Sequence, residues 1–113
     1  FPVAADTVIY MGSMVAVNSS GYAVPAADAA GLTVVGVAFA RADNTGGAAG
    51  DVSVIARRGV FGLALSAANA PTNADVGSVY VEDDQTVSTD GGVNSIAAGN
   101  LVGVDSDYAW VRI

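Results

Sequence analysis

The stretch Val34–Phe61, VVGVAFARADNTGGAAGDVSVIARRGVF, decides how this chain is read. Two apolar runs flank a loop of Asp, Asn, Thr, Gly and Ala, and the second run closes on an Arg-Arg-Gly corner. β-branched residues recur in both runs, and such side chains suit a pleated, half-buried surface. In Val52–Arg57 the alternation puts Val52, Val54 and Ala56 on one face and Ser53, Ile55 and Arg57 on the other. The expectation is that Val34–Ala42 pairs with Val52–Arg57 across the Asp43–Asp51 loop. Gly59 is then a bulge or corner before a further strand, Val60–Leu65. The loop is glycine-rich, but it has no phosphate-binding Lys and no helix after it. It therefore reads as a mobile connection at a sheet edge and not as a phosphate cradle.

The same signals recur on both sides. Val8–Asn18 is apolar with Gly12 as a bend, Ser19-Ser20-Gly21 is a turn, and Tyr22–Val24 returns as the second arm of a hairpin. Pro25–Gly31 reads as a loop. Ser66–Val76 is the best candidate for a short helix, which Pro71 limits to one or two turns, with Thr72 or Asn73 as N-cap and Gly77 at its end. Val79–Val81, Thr86–Ser88, Leu101–Val104 and Tyr108–Ile113 are strands, separated by turns at Glu82–Asp84, Asp90–Gly92 and Asp105–Asp107, with Asp90–Gly92 of hairpin type. The 113 residues are expected to form one all-β domain with an extended N-terminal arm over about residues 1–7. Its fold class is a small compact β-barrel or sandwich of short strands, β-tulip-like, with one short helix near residues 66–76.

Composition narrows the function. Hydrophobic residues make up 52% of the chain and charged residues 13%, against roughly 25% charged in an average domain. So little polar material predicts apolar surface buried against another protein, in an oligomer or an assembly. The net charge is −7, from eleven acids and four bases, and every base is Arg. That leaves no basic footprint for nucleic acid. Glu82 is the one glutamate, and the aspartates read mostly as turn punctuation. No run is long enough for a membrane-spanning helix. The start at Phe1 has neither the basic region nor the apolar core of a signal peptide, and without an initiator Met it is expected to have been preceded by other residues.

His, Cys and Lys are all absent, which removes the commonest general base together with thiol and amine chemistry. The carboxylates of Glu82-Asp83-Asp84 and Asp105-Ser106-Asp107 remain as a conceivable glycosidase pair or calcium site. Both lie at turns where solvated acids are ordinary, and Asp105–Asp107 lacks the downstream Gly and Glu of an EF-hand loop. No enzyme, cofactor or metal site is expected. Two features suit recognition. Arg57 and Arg58 point to opposite sides of a strand, each able to meet a carboxylate across an interface or to pair within the chain. In the last strand Tyr108, Trp110 and Arg112 share one face and Ala109, Val111 and Ile113 the other. The first set could stack on sugars or on a neighbouring subunit, or simply finish the barrel with a half-buried Trp.

The order of several segments carries a resemblance. These are Met14–Val17 with Ser20-Gly21-Tyr22, Gly31–Ala38 (GLTVVGVA), Ala42–Asp51 (ADNTGGAAGD), Arg57–Phe61, Ala74–Gly77, Val79–Val87 (VYVEDDQTV) and the closing Gly103–Ile113. In this order they resemble the capsid cement, or head decoration, proteins of tailed bacteriophages, over nearly the whole chain. The resemblance implies a structural virion protein on the outer surface of the expanded icosahedral head, assembled in the host cytoplasm. It implies major capsid protein as partner, a homotrimer as the commonest self-association, and no catalytic residues. The apolar, extended start adds Phe1, Pro2, Val3, Val8, Ile9 and Tyr10 as expected capsid contacts, beside Arg57, Arg58, Tyr108, Trp110 and Arg112. Removal of the first six residues is expected to abolish capsid binding while leaving the fold intact. The alternatives are a head–tail joining or tail structural subunit, and a carbohydrate-binding module using Tyr108 and Trp110.

Overall fold

The apolar run inside Thr33–Ala38 organises the molecule because both of its faces are buried. In the computed structural model, which describes residues 1–113, this run is strand β4. It lies in a four-stranded sheet with β2 (Met14–Val17), β3 (Ala23–Pro25) and β6 (Ala56–Arg57), in the order β3-β2-β4-β6. One face of the sheet, through Met14, Ala16 and Val37, joins a core with Leu63, Val79, Val87, Leu101 and Val111. The opposite face, through Val15, Val35 and Ala38, joins a second core with Val3, Ile9, Ala42 and Val54. Burial on both faces explains why β2 and β4 read as continuous apolar runs without a polar alternation.

The larger core fills a closed five-stranded barrel. Its strands are β7 (Val60–Leu65), β8 (Gly77–Val81), β9 (Thr86–Ser88), β10 (Ala97–Val104) and β11 (Ala109–Arg112), in the order β10-β11-β7-β9-β8. Closure comes from β7 and β9 running parallel, with Ala64 opposite Thr86 and Leu65 opposite Val87. All-β architecture, a small barrel and short strands are thus as expected from the sequence. Helix is limited to one 3-10 turn, Asn73–Asp75. Thr72 caps it, accepting from the Ala74 amide, while Asp75 accepts from the Thr72 amide.

Three expectations are corrected. First, Val34–Ala42 is not one strand. β4 stops at Ala38, and Ala42–Asp43 forms β5, which pairs with β1 (Val8–Ile9). β6 pairs with β4 only at Val37 and Ala38. The rest of Val52–Arg57 has another partner: Val3 donates to the Val52 carbonyl at 2.9 Å and Val54 donates to that of Phe1 at 2.8 Å. Second, the same bonds remove the extended arm. Val3 is fully buried, the Ala23 amide donates to the Pro2 carbonyl (2.7 Å), and Ala4 donates to that of Ala23 (2.9 Å). The first residues are a strip of the second core, because Val3 supplies the apolar cover that this face of the sheet lacks. Third, Asp90–Gly92 closes no hairpin. β9 and β10 lie on opposite sides of β8, and the connecting loop is held where Asp28 accepts the Val93 and Asn94 amides.

The glycine-rich loop is likewise pinned and not a loose connection. Asn44 is buried, and its amide nitrogen donates to the carbonyls of Ala4 and Ala48, each at 2.9 Å. Asp6 accepts the Gly46 amide at 2.8 Å, and Asp51 accepts that of Ala48 at 2.9 Å. Polar residues that read as solvated loop material instead satisfy backbone groups.

Candidate interaction surface

Aromatic side chains gather where the turn after β1 meets the turn after β4. The Gly12 amide donates to the Ala38 carbonyl (3.0 Å), which sets Tyr10-Met11 beside Phe39–Arg41. The Arg41 guanidinium lies over the Tyr10 ring at 5.7 Å, and that of Arg57 over the Phe39 ring at 3.7 Å. Phe39 also donates through its amide to the Ile55 carbonyl (2.9 Å), placing Ile55 at the same corner. Met11 is 71% and Ile55 66% exposed. Two cations stacked on exposed rings keep their charge outward while covering only one ring face each.

Met11 connects this corner to the outer wall of the barrel. Together with Tyr108, Gly62 and Gln85 it lines a depression of about 270 Å³. Tyr108 and Trp110 meet edge to face, with centroids 6.1 Å apart and planes at 65°. Trp110 lies close enough on β7 that a Cβ at Gly62 would come within 3.2 Å of its ring, so a larger residue there would push the ring outward by a few tenths of an ångström. The Trp110 indole donates to Asp105 at 2.9 Å. With one ring steeply tilted to the other, the pair does not form a single flat platform for a sugar face.

The band therefore runs from Trp110 and Tyr108 through Met11 to Tyr10, Phe39, Arg41, Arg57 and Ile55. It unites four of the residues singled out in the sequence: Tyr10, Arg57, Tyr108 and Trp110. Met11, Phe39, Arg41 and Ile55 went unnoticed, because Phe39–Arg41 read as strand interior when they form an exposed corner. The expected contacts at Val3 and Ile9 are corrected: both are fully buried and belong to the second core. Val8 is half-buried, and Phe1 and Pro2 are exposed at the edge of that core. Arg58 and Arg112 lie together in a separate cleft with residues of β4 and β10.

The carboxylates hold backbone. Asp105 accepts from the Trp110 indole and from the amides of Asp107 and Tyr108, which lower its pKa. The Thr45 hydroxyl and amide lower that of Asp43, and the Val93 and Asn94 amides lower that of Asp28. A general acid at neutral pH needs the opposite shift. Glu82 accepts the Ser66 hydroxyl at 2.6 Å. No three acidic side chains come together as a metal-holding group. No helix is long and apolar enough to cross a membrane. No protein-family model, no curated protein and no solved structure matches the chain significantly.

Proposed function

We propose that this protein is a capsid decoration protein that binds the outer surface of an expanded phage head through the aromatic–arginine band, bridging major capsid protein subunits. The observation that carries this reading is the continuity of the band across the seam between sheet and barrel. Tyr, Trp, Phe, Met and Arg are the residue types enriched where proteins meet, and they anchor most binding energy. The ordered resemblance of the sequence segments supplies the partner. Binding only to the expanded lattice would stabilise that state by mass action, and a trimer touching several subunits would gain avidity without any single strong contact.

The test is co-sedimentation with expanded, undecorated heads, followed by imaging of the decorated particles. Met11→Asp and Phe39→Asp place a charge on exposed positions, so melting temperatures should stay near that of the wild type. Capsid affinity should fall about tenfold or more, the loss expected when an anchor is removed from an interface. Wild-type protein that stays in the supernatant, or variants that bind undiminished, would refute the proposal. Density at a single vertex would favour the head–tail joining alternative.

A further inference from the structure

The chain carries sulfur at two positions only, and the fold gives them opposite surroundings. Cys is absent, so all sulfur chemistry rests on Met11 and Met14. Met14, in β2, is fully buried in the larger core with Val37, Leu63 and Val87. Met11 is 71% exposed, more than any other large hydrophobic residue except Val93. Backbone bonds set this contrast. The Gly12 amide donates to the Ala38 carbonyl (3.0 Å), the Ser13 amide to that of Tyr10 (3.1 Å), and the Met14 amide to that of Asp84 (2.7 Å). They close a tight turn, with Gly12 at φ +85°, that leaves Met11 at its tip while β2 carries Met14 inward.

Met11 also stands at a sensitive place. It lines the depression shared with Gly62, Gln85 and Tyr108, and it links the barrel half of the aromatic–arginine band to the Tyr10–Phe39 corner. An unbranched, polarizable thioether adapts well to a partner's surface. The same exposure opens the sulfur to oxidants, and a sulfoxide turns a flexible apolar side chain into a polar one. Gln85 bonds the rest of the chain through its backbone alone, so its side-chain amide is free to donate to a sulfoxide oxygen in that depression.

We propose that Met11 is a reversible oxidation site for hydrogen peroxide, and that its sulfoxide weakens binding through the band. The thioether sulfur attacks one peroxide oxygen. The O–O bond breaks, an S–O bond forms and the sulfur gives up two electrons. The second oxygen takes the proton of the first and leaves as water. Weakened binding rests on the band being the contact surface, whereas selective oxidation of Met11 does not.

The test treats free protein with hydrogen peroxide, removes the peroxide and maps the product by peptide mass spectrometry. Met11 should gain one oxygen, and Met14 should react at least about tenfold more slowly, since a core side chain reacts only through opening of the fold. The oxidised protein should elute earlier in hydrophobic-interaction chromatography and keep the wild-type melting temperature. Its affinity for untreated, undecorated heads should fall about tenfold, the loss expected for a damaged anchor. The two methionine sulfoxide reductases, one for each epimer, should restore it. Met11→Leu, compared with itself before and after peroxide, should change in neither elution nor affinity, which separates Met11 from oxidation at Trp110. Equal oxidation of Met11 and Met14, unchanged elution, a melting temperature lowered by several degrees, or undiminished binding by the sulfoxide form would overturn the proposal. So would an equal response in Met11→Leu. If untreated protein leaves the heads bare, the capsid reading fails, and selective oxidation with earlier elution still decides the chemistry at Met11.

Discussion

Val3→Ala tests whether the first residues are arm or core. The side chain is fully buried against Ile9, Val15 and Val54 in the second core. Removal of two methyl groups forfeits about 1.6 kcal/mol of transfer free energy, at roughly 0.8 kcal/mol per group. The void left behind, roughly 50 Å³ if nothing relaxes, adds up to about 1.2 kcal/mol. The expected loss is therefore about 1.5–3 kcal/mol, or a fall in melting temperature of about 6–12 °C for a domain of this size. The substitution leaves the strip's backbone hydrogen bonds in place, so the number reports burial alone. Val93→Ala is the control: Val93 is 91% exposed, and its variant should melt within about 1 °C of wild type. Thermal denaturation followed by circular dichroism reads both. Hydrogen exchange gives a second view, since the Ala23 and Val54 amides donate to the Pro2 and Phe1 carbonyls and should be protected. A Val3→Ala protein that melts like wild type, or rapid exchange at those two amides, would refute the docking of the strip.

Ser13 is 1% exposed and its hydroxyl has no hydrogen-bond partner. An unsatisfied buried hydroxyl costs about 1–3 kcal/mol, so Ser13→Ala should raise the melting temperature by several degrees; a lower one would reveal a partner for the hydroxyl. Asp28, Asp43 and Asp105 all have pKa values below the ordinary 3.8. Their contribution to stability is complete above that value and is lost as pH falls through the lower folded values. Melting temperature should therefore decline below about pH 3.8, and Asp105→Asn should melt lower at pH 7 while showing a shallower acid limb. The Trp110 indole N–H resonance follows the contact directly. An acid limb of unchanged steepness in Asp105→Asn would count against this account.

Much of the fold was legible because strand periodicity and turn chemistry are local. The alternations Val52/Val54/Ala56 and Ala109/Val111 gave the buried faces, and the Thr72 cap with Pro71 before it gave the single helical turn. Pairing partners were less legible, because they depend on competition between distant segments. Val52–Ser53 faces residues 1–3 instead of β4, and nothing within Val34–Phe61 reveals that competitor. The pinned loop was missed for the same reason: Asn44 reads as a turn residue until Ala4, forty positions away, supplies an acceptor. The interaction band was half legible. Tyr108 and Trp110 stand out by alternation, whereas Phe39 and Arg41 become a surface only once β4 ends at Ala38.

The two kinds of charge do different work in this fold. Apart from Asp84 and Asp107, every acid accepts a hydrogen bond from the chain itself, mostly from backbone amides of turns. These carboxylates replace the missing polar residues as anchors for irregular backbone, and they spend little on ion pairs. The four arginines anchor no backbone. Two are stacked on exposed rings and two line the cleft between β4 and β10. Guanidinium is weakly hydrated and loses little on entering an interface, especially when it is already laid on an aromatic face. A chain at −7 that keeps its four arginines outward repels further copies at long range.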